Sequence, residues 1–348
     1  MQQRGRGANE NPRNRFEAMH VETDEDSWID EDARPQRTVF LNDDSQTILS
    51  PGEAEDLSFD YGLNPYRGCE HGCAYCYART YHEYLGFSAG LDFESKIVVK
   101  PRAPELLEEA LAKVSYKPGK ISLSGVTDCY QPIERKLEIT RRCLEVLARF
   151  RNPVVVITKN ALIERDIDHL AELARYQAVA VYLSVTTLDA GLARILEPRA
   201  SSPRARLKTI QSLSDAGILA GVSAAPMIPG LNDSELPAIL EAAADHGAKF
   251  AAYSIVRLPG TVADVFENWL ERHKPQAKEK ILGRIRAAHE GKLNGMTPGV
   301  RMRGSGAAAE QTRKLFQTCA RKRGLQISPP SLNLSDFRRL SPGQQELF

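Results

Sequence analysis

The sequence predicts an α/β fold of parallel β/α units, and three observations carry that expectation. Between about residues 60 and 290, short β-rich apolar runs alternate with helical patterns, the order in which parallel units are written along a chain. With 348 residues, 42% of them hydrophobic, the chain can bury one large core with extensions, or two domains. Met1 to Glu10 has no apolar segment of the secretory kind and no run approaches a membrane span, so a cytoplasmic, reducing setting without a membrane partner is expected.

Taken in order, residues 1–60 read as an irregular, partly disordered arm. They are poor in apolar residues and hold an acidic excess in Glu22, Asp24, Glu25, Asp26, Asp30, Glu31 and Asp32. Residues 61–290 form the core. A first strand leads into Cys69, and further strands are expected at 120–126, 154–159, 178–185, 218–224 and 250–256. Leu106, Leu107, Ala110, Leu111 and Val114 make one helical apolar face, and Ile139, Cys143, Val146, Leu147 and Phe150 another, so Cys143 reads as a small buried hydrophobe. Helices are also expected near 162–175, 203–216, 233–246 and 276–290. Periodicity leaves open whether six such strands make a doubly wound sheet or an incomplete barrel. Residues 291–348 break the pattern with Gly291, Gly295, Gly299, Gly304, Gly306 and Pro329-Pro330, and read as an extension that closes the core or faces substrate. Its Arg and Lys residues, among them Arg284, Arg286, Arg301, Arg303, Arg321, Lys322 and Arg323 counted from the last core helix, make that end basic. The net charge is only +1, so the distribution, not the total, admits nucleic acid as a partner.

The chemistry concentrates in Cys69, Cys73 and Cys76, a C-x3-C-x2-C run between Asn64 and Tyr77. Three thiolates this close are suited to metal, and one ligand fewer than the usual four leaves an iron of a cluster open. A Cys3His zinc site with His71 or His82 is the competing metal reading, although no second C-x2-C pair follows. Six cysteines are too few for a disulfide framework in a chain of this length.

This spacing, with Tyr75 just before the last cysteine, resembles the cluster loop of the radical S-adenosylmethionine (radical SAM) superfamily. The resemblance implies a partial (β/α)6 barrel whose first strand delivers the loop, a 4Fe-4S cluster held by the three cysteines, and S-adenosylmethionine on the open iron. It also implies an electron donor such as flavodoxin or ferredoxin. In parallel β/α folds ligands meet the carboxyl ends of the strands, and polar residues stand there. On that reading Lys159 pairs the carboxylate of S-adenosylmethionine, with Arg199 and Arg206 as alternatives. Ser124 and Thr127 bond its amino acid end and Ser184 its ribose, while backbone at Met227 and Ile228 reads the adenine edge and their side chains pack on its face. Each alone is equally a cap, a turn residue or a surface ion pair; the shared strand-end location raises the set.

Within the superfamily the loop resembles that of spore photoproduct lyase and its relatives. Residues 64–85, 197–203 and 226–232 look like an uncharacterised bacterial branch of that neighbourhood. Cys129 falls where the lyase keeps a hydrogen-donating cysteine, with Tyr130 as a relay, against the alternative of a packed thiol; Cys319 reads as structural. The last residues, Gln344-Gln-Glu-Leu-Phe348, resemble the tails with which bacterial DNA polymerases and repair proteins bind the sliding clamp. The expected function is therefore radical chemistry on DNA, a lyase-like repair, with modification of RNA or protein, or a non-enzymatic zinc-binding nucleic-acid module, as the alternatives.

Overall fold

A computed structural model describes residues 5–16, 37–52, 58–295 and 297–340. Among them are the strands β1 (Val39–Asn42), β2 (Leu49–Pro51), β3 (Tyr61–Leu63), β4 (Tyr66–Arg67), β5 (Lys96–Val99), β6 (Ile121–Leu123), β7 (Val154–Thr158), β8 (Val179–Ser184), β9 (Ala220–Met227) and β10 (Phe250–Ile255). Six of them, β3 and β6 to β10, lie side by side, parallel and in chain order. β2 adds an antiparallel edge next to β3. A smaller sheet pairs β5 with β1 in parallel and with β4 in antiparallel. Because the six strands share one direction, their carboxyl ends all open at one edge, and that edge positions the site.

The sheet is Val- and Ile-rich because helices cover it; β6 and β8 are almost wholly buried, as parallel strands packed on both sides must be. Helices Ala103–Ala112, Ile139–Phe150, Ile167–Arg175, Pro203–Asp215 and Leu236–Asp245 supply the crossovers. The face Ile139, Cys143, Val146, Leu147 and Phe150 is buried in the main core, as its spacing predicts. Val114 corrects the neighbouring face. The helix stops at Ala112, Lys113 turns extended, and Val114 stands 90% exposed. The helices not anticipated include Ala190–Leu196 and Val262–His273. The first is capped by the Asp189 carboxylate, which accepts from Gly191 N (2.7 Å) and Leu192 N (3.2 Å). The second buries Phe266 and Trp269.

The C-terminal segment packs against the last strands. Gln326 exchanges backbone hydrogen bonds with Ala251 and Lys249, and Phe316 of helix Gly306–Lys322 meets Tyr253, ring centroids 4.6 Å apart. The described parts of the first sixty residues include β1 and β2 and a segment, residues 5–16, that runs against the cysteine loop. The acidic residues 22–32 and the clamp-like Gln344 to Phe348 lie outside the described residues. No helix among the described residues is long and apolar enough to cross a membrane.

Candidate functional site

The cysteine loop follows β4 and is held by its backbone. Cys69 N donates to Phe93 O (2.9 Å), Ala74 N to Leu196 O (3.2 Å), and Cys76 N to Cys73 O (3.2 Å). Gly72 takes φ +65°, and a Cβ there would lie 2.6 Å from a Glu94 carboxylate oxygen, so the turn needs glycine. Beneath the loop Arg79 is fully buried. Its guanidinium donates to Cys73 O twice (3.0 and 2.9 Å), to Ala89 O (3.0 Å) and Gly90 O (2.9 Å), and to Glu94 Oε1 (2.5 Å). Glu94 in turn accepts from Gly7 N (3.0 Å) and Ala8 N (2.8 Å). One buried ion pair thus ties the loop to the N-terminal segment.

Cys69, Cys73 and Cys76 line one side of a cavity of about 340 Å³, and Ser124, Thr127, Asp128, Lys159, Ser184 and Ser223 at the strand ends line it as well. Burial pushes all three thiols up, and at Cys69 Asp128 adds to it. Such sulfurs are neutral unless a cation takes their charge, and a bound metal deprotonates a coordinating thiol outright. Among the described residues no three His, Cys, Asp or Glu side chains converge closely enough for a single ion. A cubane instead takes each thiolate on a separate iron. The residues present therefore fit a cluster bordering a small-ligand cavity.

Two buried carboxylates organise the rest. Asp128 accepts from Thr158 Oγ1 (2.7 Å) and Lys159 N (2.8 Å) and lies 3.3 Å from His71 Nδ1. Burial raises its pKa, but His71 and these bonds outweigh that and hold it at about 2. Asn160 Nδ2 stands 3.2 Å from the other His71 nitrogen, while its Oδ1 accepts from Leu162 N. That assignment makes His71 Nε2 the acceptor and Nδ1 the donor to Asp128. Glu197 accepts from Tyr75 Oη, from Thr186 Oγ1 (2.7 Å) and from Arg206 Nη2 (2.5 Å). Burial raises it too, yet Arg206 and then Lys159 bring it down to about 2. Lys159 reaches over the Tyr75 ring, 5.9 Å from its centroid.

The structure brings Ser124, Thr127, Lys159 and Ser184 together on the cavity, though Ser124 Oγ already accepts from Cys129 N (2.7 Å) and Thr127 Oγ1 donates to Gly68 O (2.6 Å). It does not bring the others. Arg199 pairs with Glu70 (3.0 Å) away from the cavity, and Arg206 is spent on Glu197. Met227 and Ile228 are fully buried, with Ile228 N donating to Asn232 Oδ1 (2.6 Å) and Met227 O accepting from Val256 N (2.9 Å), so neither offers an edge to adenine. Cys129 and Tyr130 are fully buried in the main core, Tyr130 Oη donating to Asp166 (3.0 Å). Both face away because the turn after β6 points Asp128, one residue earlier, into the cavity. His82, once a candidate zinc ligand, is buried between Phe87 and Phe93 and not on the cavity. Sequence reasoning passed over Asp128, Tyr253, Arg257 and Met302, all cavity-lining. Asp128 stands next to Thr127, a residue the strand-end position had picked out; Met302 carried no signal.

Comparison with known proteins agrees with this arrangement. An uncharacterised protein of Mycobacterium tuberculosis is 35% identical over 225 residues, 64% of this chain and 66% of its own, just under two thirds of its length. An uncharacterised protein of Methanocaldococcus jannaschii is 28% identical over 221 residues, 64% of this chain and 79% of its own. Among solved structures, a spore photoproduct lyase variant with bound AdoMet and dinucleoside spore photoproduct is similar in fold, with a TM-score of 0.60 over 83% of this chain and 81% of that one at 14% identity. The family model described as the radical SAM superfamily matches residues 63–243, more than half of the chain and the whole span from β3 past the cysteine loop to the fifth parallel strand, so the chain belongs to that superfamily.

Proposed function

We propose that this protein is a radical SAM enzyme acting on nucleic acid, DNA first among the candidates. The observation that carries the proposal is the meeting of Cys69, Cys73 and Cys76 with the polar ends of four parallel strands on one cavity. The superfamily uses a 4Fe-4S cluster and S-adenosylmethionine, and when bound the pair supplies a 5′-deoxyadenosyl radical able to abstract hydrogen. The chain's own residues do the rest. The three cysteines hold the cluster, Lys159 offers a cation near them for a carboxylate, and Ser184 and Ser223 offer hydroxyls farther along the strand ends. Apolar walls from Ile157, Ala225 and Val256 keep water from the reaction space. Nucleic acid is supported by the shared fold with spore photoproduct lyase, whose structures hold a dinucleoside photoproduct. An electron donor of the flavodoxin or ferredoxin type completes the proposal.

The test is anaerobic reconstitution with iron and sulfide, followed by S-adenosylmethionine and a strong reductant. Wild-type protein is expected to release 5′-deoxyadenosine and the Cys73→Ala variant none. Equal product from both would sink the assignment of the loop.

A further inference from the structure

Beside the cavity lies a second, of about 200 Å³, lined by Thr80, Tyr81, Asn294 and Arg301. Tyr77 and Arg257 line both, so the two spaces meet across that pair. The second is the more polar of the two. Its distinguishing group is Arg257, whose guanidinium carbon sits 4.5 Å from the Tyr77 ring centroid. Arg257 Nε, a donor, is buried with no hydrogen-bond partner among the described residues. Orphaned buried polar atoms are uncommon and call for an explanation. Arg79, Arg165 and Arg206 are paired with carboxylates; Arg151 Nε shares the condition of Arg257 Nε, but Arg257, unlike Arg151, lines both cavities.

A strip of exposed aromatic residues continues from this cavity. Tyr81, at its rim, is 49% exposed, and Tyr84 and Phe16 are 67% and 55% exposed. Phe16 and Tyr84 approach with centroids 4.8 Å apart, and the Arg15 guanidinium lies 4.7 Å and 5.5 Å from the two rings. Gly260 joins the strip to the cavity, since a Cβ there would stand 3.8 Å from Arg15 Nη1 and 3.9 Å from Thr80 Cγ2. Aromatic faces interleaved with arginine make a platform for successive bases.

We infer that the second cavity receives a backbone phosphate of single-stranded nucleic acid, with the reacting nucleotide in the first cavity and neighbouring bases on the Tyr81–Tyr84–Phe16 strip. The inference rests on the nucleic-acid reading above and locates it on the surface. A guanidinium fork suits phosphate oxygens, and the Tyr81 hydroxyl and Asn294 amide line the same space, while the Thr80 hydroxyl is already given to Tyr77 O (3.1 Å). A peptide carboxylate would use one arginine but leave the aromatic strip without a purpose.

The experiment measures binding of a fluorescent ten-nucleotide single-stranded DNA, and of the same sequence in RNA, to the reconstituted full chain across a range of salt. Arg257→Gln and Arg301→Gln are each expected to weaken binding about tenfold and to lower the slope of log affinity against log salt by about 0.7, one phosphate contact on a single strand. Arg257→Lys is expected to keep the slope and lose part of the affinity. The Arg301 variant guards against misfolding at Arg257, and the DNA and RNA arms identify which polymer is preferred. If wild type binds an oligonucleotide and both Gln variants bind it with the same affinity and slope, the phosphate site is wrong and the nucleic-acid reading stands. If wild type binds neither oligonucleotide, both fall, while 5′-deoxyadenosine release still reports separately on the radical chemistry.

Discussion

Arg79→Ala tests whether the cysteine loop takes its shape from the buried ion pair beneath it. The side chain makes five hydrogen bonds to Cys73, Ala89, Gly90 and Glu94, and both members of the pair are fully buried. Removing one partner of a buried pair costs about 3–5 kcal/mol, because the other charge is stranded. Glu94 keeps the Gly7 and Ala8 amides, which softens that loss, while three carbonyls lose their donor at roughly 1 kcal/mol each once water enters the space. A total of about 4–6 kcal/mol is a large share of the 5–15 kcal/mol typical of folded proteins. With a urea dependence of about 3 kcal/mol/M, the midpoint of apoprotein unfolding should fall by roughly 1.5 M. Iron and sulfide retained after reconstitution should fall as well, since Cys73 loses the anchor on its carbonyl. Arg79→Lys restores the charge but not the fork, and is expected to recover stability better than iron content. An alanine variant that unfolds within about 0.3 M of wild type, within the error of such extrapolation, and binds iron normally would refute the argument.

Other perturbations separate the remaining roles. Glu197 has a folded-state pKa of about 2 against an ordinary 4.5, so its stabilisation of about 3 kcal/mol is complete above pH 4.5 and disappears as pH falls toward 2. Glu197→Gln in the apoprotein should therefore be less stable than wild type at pH 7 and match it near pH 2; a stability gap that does not narrow on acidification would contradict the Arg206 pairing. Gly7→Ala places a Cβ 1.7 Å from Gly72 O, which backbone cannot yield, and should expose the Gly7 and Ala8 amides to hydrogen exchange at least about tenfold faster. Unchanged protection would mean the N-terminal segment is not seated on the loop. Cys129→Ala removes a thiol that lies in the core rather than on the cavity, so 5′-deoxyadenosine release should stay within about twofold of wild type; loss of release would return Cys129 to the chemistry.

What could be read from the sequence was what local spacing controls. The alternation of β6 to β10 with their helices was legible because each apolar run is continuous and each helical face repeats at 3.6 residues. The cysteine loop was legible because its ligands sit within eight residues of one another. Val114 misled for the same reason: periodicity continues past the point where Lys113 leaves the helix, and nothing local marks the stop. Helix Val262–His273 was passed over although Val262, Val265, Phe266, Trp269 and Leu270 keep helical spacing; Phe266 and Trp269 pack in the cluster that holds Cys73 and Tyr75.

The site itself depends on contacts the sequence cannot display. Tyr75 meets Glu197 across 122 residues, Gly7 meets Glu94 across 87, and Asp128 joins His71 to Lys159. A glycine-rich, polar N-terminus therefore reads as an irregular arm, because what orders residues 5–16 is a set of distant partners: Glu94 for the Gly7 and Ala8 amides, Asp92 for the Asn11 side chain, and Glu83 O and Phe87 O for the Asn14 side chain. Arg199, Met227 and Ile228 were drawn to the ligand by strand-end position alone, yet the groups they offer are already taken by Glu70, Val256 and Asn232. Arg257 was overlooked although it stands one residue beyond the 250–256 strand, and its hydrogen-bonding groups are not spent. A strand-end residue is a candidate ligand only while its polar atoms remain uncommitted, and that condition is visible only in three dimensions.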